Sequence, residues 1–346
     1  MDNNTTYIDD FITTRNRVKE WTQYFPKRKK GKKPLPKKYH YFKRRLYAEK
    51  GNSFLFLSLR YDDNEDIFRL RINGSLKKWY FNGNTLDNLT LPQYITCMKR
   101  IALETGITYD DILGGRNTKI ESGVTICLKT KFKDLLKCFI WHSGFDRVEE
   151  NETTLYFRSS FYSFILYEKL IEIKSKNHYR NGRFIRTDKP SEFTKTYLRF
   201  EVKVNSVSGV KFYEEKANSV AKIIENWDEI ILQMQTFFKG IEFIDVNGAE
   251  KGFKNGTFPQ FKKYTLFKQI KDFGLHNYIK LFKKEVRSGS NVTKYRNEIF
   301  SLFRSQVVED IDLREELLFE FEKKINGLLY NKINSYSNSN NTLIEE

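Results

Sequence analysis

The chain has little cysteine and little histidine for a protein of 346 residues. Its three cysteines, Cys97, Cys127 and Cys138, show no Cys-x-x-Cys spacing, and its four histidines are all isolated. An odd number of scattered cysteines argues against a disulfide framework and against a zinc site. The thiols are therefore expected to be reduced, as they are in the cytoplasm.

Long apolar runs and a nucleotide-binding loop are missing as well. The longest apolar stretch, residues 54–59, is far too short to cross a bilayer, and the polar N-terminus has no hydrophobic signal region. No Gly-x-x-x-x-Gly-Lys-Ser/Thr sequence occurs, so a P-loop for nucleoside triphosphates is excluded. These absences predict a soluble cytoplasmic protein with no membrane partner.

The chain carries a large excess of positive charge, with a net charge of +17 and a pI near 9.5. Such a balance is typical of proteins that bind a polyanion, and nucleic acid is favoured over a membrane surface. Aromatic residues make up 16% of the chain, which excludes a disordered basic tail. A ribosomal or nonspecific nucleic-acid-binding protein would also fit the charge alone.

A basic run at residues 27–38 concentrates this charge near the N-terminus. Its charge density and its prolines disfavour a regular helix or strand. A solvated loop would explain the run, but the basic character of the whole chain favours an arm that contacts DNA phosphates. The arm residues expected to contact DNA are Lys27, Arg28, Lys29, Lys30, Lys32 and Lys33.

Hydrophobic periodicity predicts an α+β fold, with a mainly antiparallel sheet that has helices on one face and an all-helical C-terminal region after it. The predicted strands cover residues 53–60, 66–73, 119–128, 154–158, 163–174 and 197–205. One helix is expected between an N-cap at Thr90 and a stop at Gly106. The other predicted helices cover residues 8–21, 131–142, 217–238, 261–273, 276–288, 293–308 and 313–330.

These elements predict a division of the chain into four parts. Residues 1–45 form an N-terminal segment with the basic arm, and residues 46–208 form the sheet domain that carries the candidate catalytic residues. Residues 209–334 form a helical domain, and the Ser/Asn-rich tail at 335–346 is expected to be disordered.

Alternation along three predicted strands places polar residues on one common face. Carboxylates are costly to collect on a strongly basic chain unless a divalent cation binds between them. A tyrosine beside such an ion is a plausible nucleophile toward a phosphodiester, which predicts a DNA strand-nicking enzyme. The alternative is an ordinary amphipathic sheet whose outer face carries solvated ion pairs. The residues concerned are Lys119, Glu121, Tyr167, Lys169, Arg199, Glu201 and Lys203.

Glu172 does not fit strict alternation on the predicted strand 163–174. A period of two would place it on the core side with Leu166, and Ile171 would join Tyr167. A one-residue bulge between Lys169 and Ile171 would turn Ile171 to the core and Glu172 to the polar face. The sequence therefore predicts a bulge here.

The order of three short motifs resembles that of the replication-initiation factors of small staphylococcal plasmids and of the gene II replication proteins of filamentous phages. The motifs are Thr118-Lys119-Ile120-Glu121, Tyr167-Glu168-Lys169-Leu170-Ile171-Glu172 and Leu198-Arg199-Phe200-Glu201. Ser75-Leu76-Lys77-Lys78, followed by Asn82-Gly83-Asn84, resembles a further segment of the phage proteins. The resemblance covers residues 65–205, whereas the last third of the chain is only loosely similar.

The resemblance implies initiation of rolling-circle replication. Tyr167 would attack one strand of the origin DNA, which leaves a 5′-phosphotyrosyl enzyme and a free 3′-hydroxyl that primes synthesis. Glu121, Glu172 and Glu201 would hold Mg²⁺ or Mn²⁺, ions that prefer such hard oxygen ligands.

Lys169 and Arg199 complete the expected catalytic group. Lys169 would stabilise the tyrosine phenolate, and Arg199 would clamp the scissile phosphate or orient a carboxylate. The sequence departs from the family in two places. The usual Arg-Ile-Asp is Lys119-Ile120-Glu121, which makes Glu121 the least secure ligand. The chain also lacks the His-hydrophobic-His pair of histidine-based nickases.

Two other tyrosines compete for the role of nucleophile. Tyr179 lies in a basic loop, where its ring would equally stack on a base, and Tyr197 shares a strand face with Arg199. The family resemblance favours Tyr167 over both. The remaining residues expected to contact DNA are Lys119, Tyr179, Arg180 and Lys203.

Three functions are compatible with these features. A rolling-circle initiator of a small phage or plasmid is favoured over a mobilisation relaxase with the same chemistry and over a non-enzymatic DNA-binding regulator or packaging factor. An initiator implies supercoiled or single-stranded origin DNA, a host helicase and DNA polymerase as partners in the bacterial cytoplasm. The C-terminal helices are expected to recognise the origin or to form a homodimer.

Overall fold

The computed structural model describes most of the chain. The described residues are 3–11, 21–23, 39–50, 53–62, 67–129, 135–151, 154–177, 195–243, 257–273, 275–285, 289–304 and 313–339.

A ten-stranded antiparallel sheet forms the centre of the fold, and a pair of short strands forms a second sheet. The strands are β1 (Asn3–Phe11), β2 (Thr22–Gln23), β3 (Tyr39–Tyr47), β4 (Phe54–Asp62), β5 (Ile67–Gly74), β6 (Arg116–Leu128), β7 (Phe139–Trp141), β8 (Asp146–Asn151), β9 (Thr154–Arg158), β10 (Tyr162–Glu168), β11 (Thr196–Val204) and β12 (Glu242–Phe243). The large sheet has the order β2-β3-β4-β5-β1-β6-β11-β10-β9-β8, and β12 pairs with β7. The predicted α+β fold with a mainly antiparallel sheet is therefore confirmed.

Helices follow the strands and dominate the C-terminal region. They are α1 (Leu76–Tyr80), α2 (Leu91–Thr105), α3 (Tyr109–Gly114), α4 (Lys169–Asn177), α5 (Lys211–Ala217), α6 (Val220–Glu225), α7 (Trp227–Lys239), α8 (Phe258–Phe273), α9 (Leu275–Glu285), α10 (Gly289–Arg304) and α11 (Leu313–Ser339). None of the described helices is long and apolar enough to span a membrane.

The predicted helix between Thr90 and Gly106 is confirmed as α2. The Thr90 backbone N–H donates to the Gln93 side chain at 3.0 Å, which is half of a capping box. Gly106 ends the helix with a φ of 71°, a left-handed conformation that glycine adopts without strain.

The N-terminal segment is a central part of the sheet rather than a separate lead-in. β1 lies between β5 and β6, so the helix predicted over residues 8–21 is wrong for residues 8–11, and residues 12–20 lie outside the described part. Ile8 is buried in the core, as a central strand requires. The predicted boundary between residues 45 and 46 falls inside β3.

The apolar stripe that predicted one long helix at 217–238 belongs to three consecutive helices, α5, α6 and α7. Ser219 separates the first two, because its side chain caps α6 by accepting the Lys222 backbone N–H at 3.2 Å. Asn226 then lies between α6 and α7. The stripe is nevertheless buried from Ala217 to Phe238, apart from half-buried Ile224.

The C-terminal helices share the core of the sheet. Phe321 of α11 stacks on Phe238 of α7 with ring centroids 3.8 Å apart, and both rings contact Phe200 of β11. α11 continues to Ser339, whereas the sequence predicted a disordered tail from residue 335. Residues 340–346 lie outside the described part.

The helix predicted over residues 131–142 is wrong in its described portion. Leu135–Cys138 forms a single 3₁₀ turn, and the chain then enters β7. Phe139 and Ile140 are adjacent in β7 and both buried, so both faces of this strand are covered.

Candidate functional site

The candidate residues lie on three neighbouring strands, β6, β11 and β10. Tyr167 is paired with Arg199, and Arg199 with Thr125. Because directly opposite residues project from the same face of a sheet, these three side chains form one row. Glu201 is two residues along β11 and shares that face. The strand register therefore agrees with the prediction that Tyr167, Arg199 and Glu201 lie on one face.

The Tyr167 hydroxyl lies at the centre of a small hydrogen-bonded network. It donates to Glu201 Oε1 at 2.8 Å, and Lys169 Nζ lies 3.4 Å from the same hydroxyl oxygen. The Lys169 ammonium is also 5.4 Å from the centroid of the Tyr167 ring. Burial and, after it, the charges of Glu201 and Glu172 raise the pKa of Tyr167, so the hydroxyl holds its proton in this environment.

Arg199 is fully enclosed and holds Glu201 in place. Its guanidinium donates to Asn88 Oδ1 at 2.8 Å, to Thr125 Oγ1 at 3.1 Å and to Glu201 Oε1 at 3.2 Å. Only 1% of Arg199 is exposed. Of the two roles expected for Arg199, these contacts support orientation of a carboxylate rather than a direct clamp on the scissile phosphate.

Arg199 also determines the ionisation of Glu201. Burial alone would raise the pKa of Glu201, but Arg199, the Tyr167 hydroxyl and Lys169 together hold it below its ordinary value. Glu201 is therefore an ionised acceptor for the Tyr167 proton at neutral pH.

Glu121 lies beside Glu201 on the same face. Burial and then the charge of Glu201 raise the pKa of Glu121, although Lys203 Nζ lies 3.1 Å from its Oε2 and opposes the shift. Two buried carboxylates in this position are stabilised by a shared proton or by a cation between them.

The predicted bulge does not form, and Glu172 lies at the site on a helix rather than on a strand. The chain leaves the sheet after Glu168, and α4 starts at Lys169. Leu170 and Ile173 are buried at helical spacing, whereas Ile171, which the bulge would have turned to the core, is 38% exposed. The spacing that led to the prediction of a distorted strand is the spacing of residues one helical turn apart.

The Glu172 carboxylate is held by two lysines. It forms a short ion pair with Lys169, three residues earlier on α4, and Lys78 Nζ lies 3.6 Å from its other oxygen. Among the described residues, no three histidine, cysteine, aspartate or glutamate side chains are arranged to hold a metal ion. All three predicted ligands for Mg²⁺ or Mn²⁺ are thus paired with cationic side chains in this arrangement, Glu121 with Lys203 and Glu201 with Arg199 as Glu172 is with its lysines. Of the three, Glu121 and Glu201 lie side by side.

The residues expected to contact DNA are only partly described. Lys119 is exposed on β6, and Lys203 is half-buried and paired with Glu121. The competing tyrosine Tyr197 is half-buried on the face of Arg199. The remaining residues lie outside the described part of the chain, namely Lys27, Arg28, Lys29, Lys30, Lys32, Lys33, Tyr179 and Arg180.

No family model, curated protein or solved structure matches this chain. The resemblance to rolling-circle initiators therefore stays a prediction from the sequence motifs.

Lys77 of α1 belongs to the site and was missed as a functional residue. It is 4% exposed, and its amine has no hydrogen-bond partner among the residues that the structure describes. Burial and, after it, the like charge of Lys169 lower the pKa of Lys77 to about 7, while Glu201, Glu172 and Asp87 act in the opposite direction. The sequence gives no signal for this burial except that Lys77 lies between two core residues, Leu76 and Trp79.

We expect Lys77→Met to stabilise the fold. A pKa lowered from 10.5 to about 7 corresponds to roughly 5 kcal/mol against the buried charged form. The unfolded chain binds this proton more readily, so stability rises with pH between about 7 and 10.5, and the penalty is complete below that window. Urea unfolding near pH 6 should show a gain of about 2–5 kcal/mol for the variant, and the gain should shrink toward pH 10.

Lys78→Met is the matched control, because the neighbouring Lys78 side chain is 37% exposed and Glu172, its partner at 3.6 Å, keeps its ion pair with Lys169. Its stability should change by less than about 1 kcal/mol. Equal stability of Lys77→Met and the parent near pH 6 would mean that the Lys77 amine is hydrated or paired in solution.

Gly123 makes room for the Arg199–Glu201 pair. A Cβ at this position would lie 2.7 Å from the Phe200 carbonyl oxygen, 2.8 Å from Arg199 Nη2 and 2.8 Å from Glu201 Cγ. We expect Gly123→Ala to lower the free energy of unfolding by about 1–3 kcal/mol, because the backbone oxygen cannot move aside. In Gly114→Ala the new Cβ meets open space, and urea unfolding should show no loss for that control.

Proposed function

We propose that this protein nicks and rejoins one DNA strand through Tyr167 and so initiates rolling-circle replication of a small phage or plasmid. The observation that carries the proposal is the Tyr167 hydroxyl, which donates to Glu201 at 2.8 Å while Lys169 lies 3.4 Å away. A hydroxyl, a carboxylate and an ammonium group are thus close together, and this supports the proposal because covalent catalysis on a phosphodiester uses a nucleophile, a proton acceptor and a cation.

In the proposed reaction the Tyr167 oxygen attacks the scissile phosphorus and its proton passes to Glu201. The bond between the phosphorus and the 3′-oxygen breaks, and the 3′-oxygen leaves and takes up a proton. The product is a 5′-phosphotyrosyl enzyme with a free 3′-hydroxyl. Attack by a 3′-hydroxyl on this ester reverses the step and restores the tyrosine, so rejoining needs no nucleoside triphosphate.

Lys169 offsets the negative charge that forms on the phenolic oxygen during attack. Its ion pair with Glu172 fixes the ammonium in this position. Glu121 and Glu201 would hold the proposed Mg²⁺ or Mn²⁺, which when bound supplies positive charge beside a phenol whose pKa burial and carboxylates raise.

The burial of the network favours an enzyme over a binding protein whose acidic residues form surface ion pairs. Lys169, Arg199 and Glu201 are between 1% and 8% exposed. Removing such charges from water costs several kcal/mol each, a penalty that solvated surface pairs avoid. A mobilisation relaxase would use the same chemistry on a transfer origin.

The proposal includes partners outside this chain. Origin DNA is the substrate, a host helicase unwinds the nicked duplex and a host DNA polymerase extends the 3′-hydroxyl. The cytoplasm of a bacterial host is the compartment in which these meet. A homodimer formed through the C-terminal helices would present two sites to the origin.

Incubation of supercoiled DNA carrying the replicon's origin with the protein and Mn²⁺ tests the proposal. Nicked circles with covalently attached protein are expected. EDTA should prevent their formation, and the adduct should survive denaturation in detergent. If neither Mg²⁺ nor Mn²⁺ gives an adduct on origin DNA that the protein demonstrably binds, the DNA-binding-protein alternative replaces the proposal.

A further inference from the structure

One face of β3 and β4 exposes aromatic rings next to each other. Tyr47 is 48% exposed, Phe54 43% and Phe56 37%. Tyr47 is directly opposite Phe54, with ring centroids 5.7 Å apart, and Arg45 is directly opposite Phe56. The Arg45 guanidinium lies 4.8 Å over the Phe54 ring. We call this surface the aromatic–basic face.

The exposed rings are not needed for the core. Six apolar residues that alternate with them along β3, β4 and β5 project to the other side of the sheet and are at most 3% exposed. The core is therefore already filled beneath these strands, and the rings add apolar surface in contact with water. The buried residues are Leu46, Leu55, Leu57, Leu59, Leu70 and Ile72.

The charge on the aromatic–basic face is predominantly positive. Register and alternation assign five cations to this face at positions 43–47, 54–60 and 69–73, and the carboxylate that β4 places on it, Asp62, lies at the end of that strand. Exposed cations without aromatic rings would be explained by protection of a sheet edge against aggregation. That protection does not require exposed aromatic rings. The cations are Lys43, Arg45, Arg60, Arg69 and Arg71.

The same face of the sheet continues into the candidate site. Pairing from strand to strand gives the row Arg45, Phe56, Asn73, Thr5 and Lys119. Three strand spacings of about 4.8 Å separate β4 from β6, so Phe56 is roughly 14 Å from Lys119 across the sheet. Glu121 of the site is two residues beyond Lys119 on the same face.

We propose that the aromatic–basic face binds single-stranded DNA, with bases stacked on Phe54 and Phe56 and phosphates paired with Arg45 and its neighbouring cations. Stacking on aromatic rings tolerates any base, and a flat basic surface neutralises a flexible backbone. The inference rests on the proposed function for the choice of DNA as the strand, and it gives that function a path by which the strand reaches Tyr167. Binding itself does not require that the strand be cut.

Fluorescence anisotropy with a labelled, mixed-sequence single-stranded oligodeoxynucleotide tests the proposal on the full chain carrying Tyr167→Phe. Phe54→Ala and Phe56→Ala should each weaken binding about tenfold, which corresponds to roughly 1.4 kcal/mol per stacked base. Arg45→Gln should lower the slope of log affinity against log salt by about 0.7, the value for one lost phosphate contact on a single strand.

Phe319→Ala is the matched control, because this ring is 64% exposed on α11 and lies outside the aromatic–basic face. Its affinity and the thermal midpoints of all variants should match those of the parent. Unchanged affinity of the Phe54→Ala, Phe56→Ala double variant would overturn the proposal and leave this face to a protein partner. Absence of nicking by the parent chain, with intact Tyr167, while ring-dependent binding is retained would instead contradict only the proposed function.

Discussion

Tyr167→Phe is expected to bind DNA as tightly as the parent and to lose strand nicking by at least about 10⁴-fold, the scale on which removal of a covalent nucleophile acts. The substitution removes only the hydroxyl and keeps the ring. Its structural effect is the loss of one hydrogen bond to Glu201, which still accepts from Arg199. Stability should therefore fall by only about 1 kcal/mol.

Tyr197→Phe is the matched control for this prediction. Tyr197 lies on the same face of β11 as Arg199, so the variant removes a phenol close to the site without touching Tyr167. Nicking and protein–DNA adduct formation should be retained by Tyr197→Phe and absent from Tyr167→Phe. If Tyr167→Phe nicks as fast as the parent, the nucleophile is another residue.

Arg199→Met should cause the largest loss of stability of any substitution in the site, about 3–5 kcal/mol at neutral pH. The variant leaves Glu201 buried without its guanidinium partner and removes the Arg199 donor from Thr125 Oγ1, whereas Asn88 Oδ1 still accepts from the Thr125 backbone N–H. Urea unfolding at neutral pH measures the effect. Lys239→Met provides the contrast, because Lys239 and Glu322 form an exposed ion pair, which is worth at most about 1 kcal/mol.

The pH dependence identifies the cause of the Arg199→Met effect. In the parent the pKa of Glu201 lies below its ordinary value of 4.5, so its contribution to stability is present above that value and is lost as pH falls through the folded pKa. Without Arg199, burial dominates and raises the pKa of Glu201, so the charged carboxylate destabilises the variant at neutral pH. The difference between parent and variant should therefore shrink as the pH falls, first above about 4.5, where Glu201 of the variant takes up its proton, and then below 4.5, where Glu201 of the parent does. A pH-independent difference would indicate lost packing instead.

Local sequence patterns predicted those parts of the site that lie within single strands. Alternation in β6 and β11 placed Arg199, Glu201 and Glu121 on one face, because a period of two is a property of the strand itself. The start and end of α2 were predicted equally well, because Thr90 and Gly106 cap the helix through contacts with residues close to them in the sequence.

The parts that the sequence missed depend on contacts between distant segments. Asn88 bonds to Arg199 across 111 positions, and Lys77 approaches Lys169 only because α1 packs near α4. β1 pairs with β5 and β6, so its strand conformation comes from partners 57 or more residues away, and the nearest pair is Phe11 with Phe68. Tertiary pairing of this kind overrides local helix propensity and leaves no mark in the segment.

The α4 segment shows a different limit. The strand ends at Glu168 and the helix begins at Lys169, with no turn residue between them. The apolar spacing therefore changes from alternating to helical without a break, and in the sequence this pattern resembles one distorted strand. The carboxylate of Glu172 still lies at the site, but it is paired with Lys169.

Peptide mapping of the covalent protein–DNA adduct tests the central role of Tyr167 most directly. After nuclease and protease digestion, mass spectrometry should find the residual nucleotide on the peptide that contains Tyr167, joined through a 5′-phosphate. A nucleotide on Tyr179 or Tyr197 in its place would contradict the assignment of Tyr167 as the nucleophile.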